Sequence, residues 1–312
     1  MRNVIYFIGL LSLVSCSSMK SLGVRVVGHV LEPSERILKS EGNYEFFKRA
    51  LPSELQLLET LRESRKQDLT LNQLLVQGYA SYGYGIAETD YLSEKWGEGT
   101  EINKKIAVDC YLKAIDIGVG YLEFEGLNSG IFWGDLDELE KNLKKKLALS
   151  LPEKKLLLYM GLSLASLANL NKERMDLVIH LPRAAILKKV ACETKIENGV
   201  CDLFEAQLLG SRPKMLGGDP EQAKKILVEA KLNYPENDLL DWTDIELSNI
   251  NLLDETDLDQ KIKKLALKIE EREEARLSNL SENVKTRNEF SFFQAIASRK
   301  LEHLIKARKK IF

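Results

Sequence analysis

Proline and glycine are scarce in this chain, 7 and 19 among 312 residues. With abundant Leu, Lys and Glu, that scarcity disfavours a turn-rich β architecture and favours helices. A surplus of either charge is missing as well: 45 Lys and Arg face 47 Asp and Glu, a net of −2. No positive excess is left to neutralise phosphates, so a strongly basic nucleic-acid binder is excluded. Disorder is excluded too, because 44% of the residues are apolar and the charges balance. The histidines number 3, and His29, His180 and His303 lie too far apart to share a metal. What remains is enough chain to bury a core in one large domain or two ordinary ones.

Long apolar runs are absent apart from one short stretch, Val4–Val14, interrupted by Gly9 and Ser12 and preceded by Arg2. It is too short to cross a bilayer, so residues 1–15 read as a signal peptide rather than an anchor helix. The stretch ends in Leu13-Val14-Ser15-Cys16, which resembles the bacterial lipobox. The resemblance implies cleavage after Ser15 and acylation of Cys16, with about 0.8 kcal/mol of membrane affinity for each buried methylene. An ordinary signal peptide with an incidental cysteine is the alternative. Ser17 and Ser18 bring no acidic residue next to the lipid site, which favours the outer membrane over the inner. Cleavage takes away Arg2 and leaves the body about one unit more negative than the −2 of the whole chain. The organisation expected is a signal peptide over 1–15, a lipidated N-terminus and linker over 16–44, and a helical-repeat domain over 45–312.

Cysteine is rare, 4 in all. Cys110 sits in an apolar helical pattern and reads as core. Cys192 and Cys201 flank the turn Asn198-Gly199. A disulfide across it and two reduced, partly buried thiols both fit this spacing in an oxidising compartment.

Helical spacing runs almost unbroken from Glu32 onward. Leu51-Pro52-Ser53-Glu54 reads as a helix start, with Leu55, Leu58 and Leu61 behind it. Asp68 opens the next helix, which carries Leu74, Leu75, Tyr79, Tyr82 and Ile86. Glu101–Gly118 presents Ile106, Cys110, Ala114 and Ile117 as one stripe. Leu151-Pro152-Glu153 starts an apolar helix through Leu170. Further helices are expected over 181–194, 203–209, 220–233, 239–253, 258–277 and 284–311.

The set Ala223, Leu227, Ala230 and Pro235 reproduces the second helix of a tetratricopeptide repeat, small then large then small, closed by proline. Ala107, Tyr111 and Ala114 repeat it; Ala184 and Ala191 do so with Lys188 as a misfit between them. Gly78 and Gly161 fall where a first helix needs a small residue. The alanines at 107, 184 and 223 are separated by 77 and 39 residues, off the roughly 34-residue period. The expected fold is therefore all-α, an α-solenoid of irregular repeats with insertions at Thr89–Thr100 and Glu123–Asp135.

Several segments then resemble one family. They are Ala50–Glu59, Gly78-Tyr79-Ala80-Ser81-Tyr82, Tyr159-Met160-Gly161, His180-Leu181-Pro182, and Gly217-Gly218-Asp219-Pro220-Glu221-Gln222-Ala223-Lys224 preceded by Pro213. Together, over about Glu45–Leu304, they resemble the T-component lipoproteins of tetratricopeptide-associated tripartite ATP-independent periplasmic (TRAP) transporters. The resemblance implies a lipid-anchored helical-repeat protein that associates with a periplasmic solute-binding protein. It also implies a homotrimer with a pore or cavity through each subunit, through which a small organic ligand, hydrophobic ones included, passes to that partner. The chain departs from the family at Ser163 and Leu164, where tryptophan is usual, and at Lys188 and Lys189, where an apolar face is expected.

Motifs for chemistry are missing. There is no G-x-x-x-x-G-K-[ST] loop for nucleotide, no G-x-S-x-G elbow, and no Cys/His pair with a reason to meet. Glu270-Glu271 and Glu273-Glu274 lie on a charged helix and read as a solvated face. Lys306, Arg308, Lys309 and Lys310 suit a helix C-terminus. No cofactor is expected and the chain reads as non-enzymatic. Among the aromatics, Tyr82 and Trp133 are the candidates for lining a ligand path, an apolar wall with a polar tip. The rival to the transport role is an outer-membrane lipoprotein scaffold that grips a peptide or helix for envelope assembly or maintenance.

Overall fold

The computed structural model describes residue 36 and residues 39–97, 99–212, 214–278 and 288–312, with only the backbone of 216, 276 and 277. Residues 1–15, Cys16, His29 and Pro213, all singled out above, lie outside them. The described residues form helices and turns without a strand.

The first helix, α1, spans Tyr44–Glu63, so it starts seven residues before the position read from Leu51-Pro52. Asn43 caps it, its side chain accepting from the Phe46 N–H at 2.9 Å. Pro52 sits inside the helix and withholds the bond that the Lys48 carbonyl would otherwise receive, at a cost of about 3 kcal/mol. Burial of Phe47, Leu51, Leu55 and Leu58 along one stripe outweighs that loss.

Asp68 caps α2 (Leu69–Tyr82), accepting from Leu71 at 3.1 Å. The helix then passes through a π turn, Gly83–Ala87, directly into α3 (Glu88–Lys95). Most of the stretch expected as an insertion at Thr89–Thr100 is therefore helix. Its polar residues are anchors: Asp90 is buried and accepts from Tyr44 Oη at 3.0 Å and Lys48 Nζ at 2.6 Å.

Helix α4 covers Ile102–Phe124. Ala107, Tyr111 and Ala114 are buried on it, whereas Ile106, expected on the buried stripe, is exposed one position away. The second expected insertion holds the end of α4 and a short helix α5 (Ser129–Trp133), capped by Asn128. Helix α6 (Leu136–Lys146) follows, capped by Asp135 and held by buried Leu139 and Leu143.

A capping box of Ser150 and Glu153 starts α7 (Leu151–Leu170). Short α8 (Met175–Val178) leads to α9 (Leu181–Ala191), α10 (Val200–Gly210) and α11 (Pro220–Asn233). Asp219 caps α11 through the Gln222 N–H at 3.0 Å. Helix α12 (Asp238–Ile245) runs into a second π turn, Glu246–Ile250, followed by α13 (Leu258–Ser278) and α14 (Ser291–Ile311).

Helix α2 packs on α4, α7 on α9 and α10 on α11, while α7 also lies against both α2 and α4. On the second helix of each pair a small–large–small set is buried: Ala107/Tyr111/Ala114, Ala184/Leu187/Ala191 and Ala223/Leu227/Ala230. Leu187, not Lys188, fills the middle place on α9; Lys188 turns to an ion pair with Glu205. Close approach is possible because Gly161 faces α9, where a side-chain carbon would meet the Ala184 carbonyl at 3.1 Å.

Candidate functional site

Helices α1, α2 and α14 leave an apolar cavity of about 50 Å³ between them. That is room for three or four waters or a short branched alkyl group. Its apolar wall comes from Phe47, Leu51, Leu55 and Leu58 of α1, Leu74 of α2, and Phe292 and Phe293 of α14. The rings of Phe47 and Phe292 stack at 4.0 Å and close one side. Gly78 completes the wall on α2, where a side-chain carbon would come within 2.6 Å of Leu55. The glycine is thus what lets α1 and α2 meet beside the cavity.

Polar residues line the cavity too: Lys39, Glu54, Gln77, Ser81 and Tyr159. One carboxylate, Glu197, joins Lys39 to Tyr159. Glu197 Oε2 accepts from Lys39 Nζ at 2.5 Å and from Tyr159 Oη at 2.9 Å, while its Oε1 pairs with Lys155 Nζ at 2.9 Å. The Gln77 amide donates to Tyr159 Oη at 3.4 Å, and Gln73 donates to Gln77 at 2.5 Å. The Glu197 side chain is only 4% exposed. A carboxylate so placed is tolerable because two ammonium groups and a phenol compensate it.

Glu197 belongs to the loop between α9 and α10, where Glu197, Asn198 and Gly199 have φ of 59°, 49° and 92° in succession. Left-handed backbone costs a non-glycine residue about 1–2 kcal/mol, so surrounding contacts must impose it. Asn237 donates to the Asn198 carbonyl at 2.9 Å. Cys192 and Cys201, on either side of the loop, lie with their sulfurs 2.07 Å apart.

A second polar centre lies where the first π turn and α12 meet α14. Such turns often mark functional positions, since each one re-aims the side chains around it. The phenol of Tyr111 donates to Glu88, and Gln207 donates to Tyr84 Oη at 2.9 Å. Lys300, 2% exposed, places its ammonium 4.3 Å from the Tyr84 ring centre and 5.8 Å from that of Trp242. Burial pushes the Glu88 carboxyl up to about 7, with Glu246 adding to the shift and Lys300, Tyr111 and Ser166 opposing it. Burial alone would lower Lys300, but Tyr84, Glu246 and Glu88 more than offset it and hold the ammonium above its ordinary range. Burial likewise raises Tyr84 and Tyr111. The cluster therefore holds one carboxyl that titrates near neutrality, among donors that stay protonated.

The two candidate lining residues stand elsewhere. Tyr82, one position beyond Ser81 in the cavity wall, is partly buried; burial raises its phenol, with Cys110, Lys48 and Asp90 close enough to act on it. Trp133 is 40% exposed, edge-on to Phe132 at 4.7 Å and tilted on His180 at 4.9 Å. Neither lines the cavity, and the structure does not bring the two together. Cys110 is buried, its thiol pushed up to about 12 by desolvation. Among the described residues no group of three His, Cys, Asp or Glu could hold a metal, and no helix is long and apolar enough to cross a membrane.

Glu197 and Lys39 escaped the sequence reading because their partners are far apart along the chain. The Asn198-Gly199 turn was the available signal, since it placed a tight reversal next to an acidic residue.

A protein-family model described as TRAP transporter T-component matches residues 40–287. No curated protein matches the chain.

Proposed function

The chain belongs to the TRAP transporter T-component family, and from that premise we propose that it is a lipid-anchored accessory protein of a TRAP-type uptake system, held on the periplasmic side of a bacterial membrane. It docks a solute-binding protein and helps pass it a small organic ligand. The observation that carries this reading is the family match over 40–287, and the apolar cavity with polar groups in its lining supports it.

In this reading the helix pairs α2/α4, α7/α9 and α10/α11 are irregular tetratricopeptide-like units of one domain over 45–312, tethered through residues 16–44 to lipid on Cys16. The outer membrane is the destination, and the working form is a homotrimer. A cavity walled by leucine and phenylalanine suits the apolar part of a ligand, and hydrogen-bonding groups in its lining, such as Gln77 and Tyr159, suit its polar part. The protein contributes binding and positioning, not chemistry. Energy comes from ion gradients at a separate permease. The Cys192–Cys201 bridge is formed in the mature protein, as an oxidising compartment allows.

The test is uptake in cells lacking this chain. Solute uptake by the TRAP system should fall and return on complementation with the wild type. It should not return with Cys16→Ala, which removes the acylation site. Unchanged uptake in the deletion strain would overturn the proposal.

A further inference from the structure

Helices α13 and α14 run antiparallel, as the ion pair between Asp259 and Arg308 requires, and leave an open groove of about 470 Å³ between them. Its apolar residues, Ala266 and Ile269 on α13 and Leu301 and Ile305 on α14, recur at helical spacing along the two facing sides. Leu301 is buried, Ala266 and Ile269 are half-buried, and Ile305 is 53% exposed. Around them stand four carboxylates, Glu270, Glu273 and Glu274 of α13 and Glu302 of α14, all on the exposed surface. No Lys or Arg is among the described residues that line the groove. The cause is a sorting of charge around α13. Lys261 pairs with Asp244 at 3.4 Å and Lys268 with Asp241 at 2.6 Å, on the side that faces α12, where Arg272 also meets Asp238. The glutamates at 270, 273 and 274 take the groove side, while Glu271 falls outside it. On α14, Glu302 pairs with Arg299 at 3.0 Å along its own helix.

We propose that this groove is where the solute-binding protein docks, through a helix whose apolar stripe is flanked by Lys and Arg. The inference deepens the transport reading and rests on it for the identity of the partner. The chemistry of the docking element follows from the groove alone. Two helices side by side over an apolar floor take a third, whose side chains at i, i+3 and i+4 fill the trough. The carboxylates on both walls then meet its basic flanks, which fixes the register and speeds encounter. A helix with acidic flanks makes the same apolar contact against repulsion, so the rim selects as well as attracts. An anionic membrane surface is repelled for the same reason.

The experiment uses the full mature chain and a fluorescent amphipathic peptide of leucine and lysine, its binding read by anisotropy, with a leucine and glutamate peptide as counterpart. The lysine peptide should bind at least about tenfold tighter than the glutamate one. Glu270→Lys and Glu274→Lys together should weaken it by about tenfold, and Ile305→Asp by a similar factor. Glu271→Lys, the same charge change outside the groove, should stay within about twofold of the wild type. All four positions are exposed, and circular dichroism checks each fold; were the double reversal to unfold, Ile305→Asp decides the matter. Equal binding in the wild type and the groove variants, or an equal loss with Glu271→Lys, would overturn the proposal. The same proteins are then used to recover the solute-binding protein from native envelope extract. The wild type should recover it and the double reversal at most about a tenth as much. Equal recovery by both would overturn the docking site and leave the transport reading standing. A wild type that recovers none would remove the transport reading and this partner with it. A double reversal that changes the sedimentation of the chain but not the recovery would give the groove to a second copy, and so overturn the proposal.

Discussion

Gly161 of α7 lies against Ala184 of α9 so closely that a side-chain carbon at 161 would stand 3.1 Å from the Ala184 carbonyl oxygen and 3.1 Å from the Phe204 ring. Neither neighbour is the loose end of a flexible side chain. Gly161→Val should therefore force α7 and α9 apart and cost about 2–4 kcal/mol in urea denaturation. Gly120→Ala is the contrast, since its nearest neighbour is the Arg62 guanidinium at 3.4 Å. That variant should be neutral or gain up to about 1 kcal/mol through helix propensity. Equal losses at the two positions would show that the α7–α9 contact is not what Gly161 secures.

Glu88 makes stability depend on pH. Its carboxyl titrates near 7 in the folded chain, raised by burial above its ordinary 4.5. Between those values the folded state holds more proton than the unfolded one, so stability falls as pH rises through the window. It is greatest below about pH 4.5 as far as this group is concerned, and the full loss is reached above pH 7. Glu88→Gln keeps an acceptor for Tyr111 but cannot ionise. It should match the wild type near pH 5 and exceed it by about 2 kcal/mol at pH 8. Melting curves at the two pH values check this; a variant weakened equally at both would contradict it.

Cys192 and Cys201 close a short loop around Glu197, with Cα atoms 6.0 Å apart. Removing the bridge with Cys192→Ser and Cys201→Ser together should cost about 2–3 kcal/mol. Alkylation and intact mass give the independent check. Two thiols should become reactive on reduction in the folded protein, with Cys110 joining only after unfolding because it is buried. Alkylation at 192 and 201 without reductant would show that the thiols are free.

Arg183 is 4% exposed and gives its guanidinium to the carbonyls that end α5. Its Nε donates to the Phe132 carbonyl at 2.5 Å, one terminal nitrogen to that of Gly134 at 2.9 Å, and the other meets His180 Nδ1 at 2.8 Å. Lysine lacks this planar fork. Arg183→Lys should lose about 2–3 kcal/mol and shift Trp133 emission to the red, because that indole packs beside Arg183 and His180. Unaltered fluorescence and stability would show that α5 is held by Phe132 packing alone.

Local chemistry made much of the fold readable in advance. Asp68, Ser150 with Glu153, and Asp219 before Pro220 each start a helix where their side chains can accept orphan N–H groups. Ala223, Leu227 and Ala230 are all buried, as their spacing required. The proline at 52 misled because its usual place is a first turn, while here tertiary burial on both sides carries the helix through it. The π turns left no mark, since an extra residue in a turn changes neither composition nor polarity. The polar centres were hidden for a different reason. Glu88 and Lys300, or Lys39 and Glu197, are ordinary surface residues in any local window, and only the packing of distant helices makes neighbours of them.

The account rests on association with a TRAP solute-binding protein. Its most direct test is a pull-down of the lipid-free body, residues 17–312, from native envelope extract, with partners identified by mass spectrometry. Near-stoichiometric recovery of a TRAP solute-binding protein is the predicted result. Recovery of outer-membrane assembly proteins with no solute-binding protein among them would contradict the account and favour an envelope scaffold.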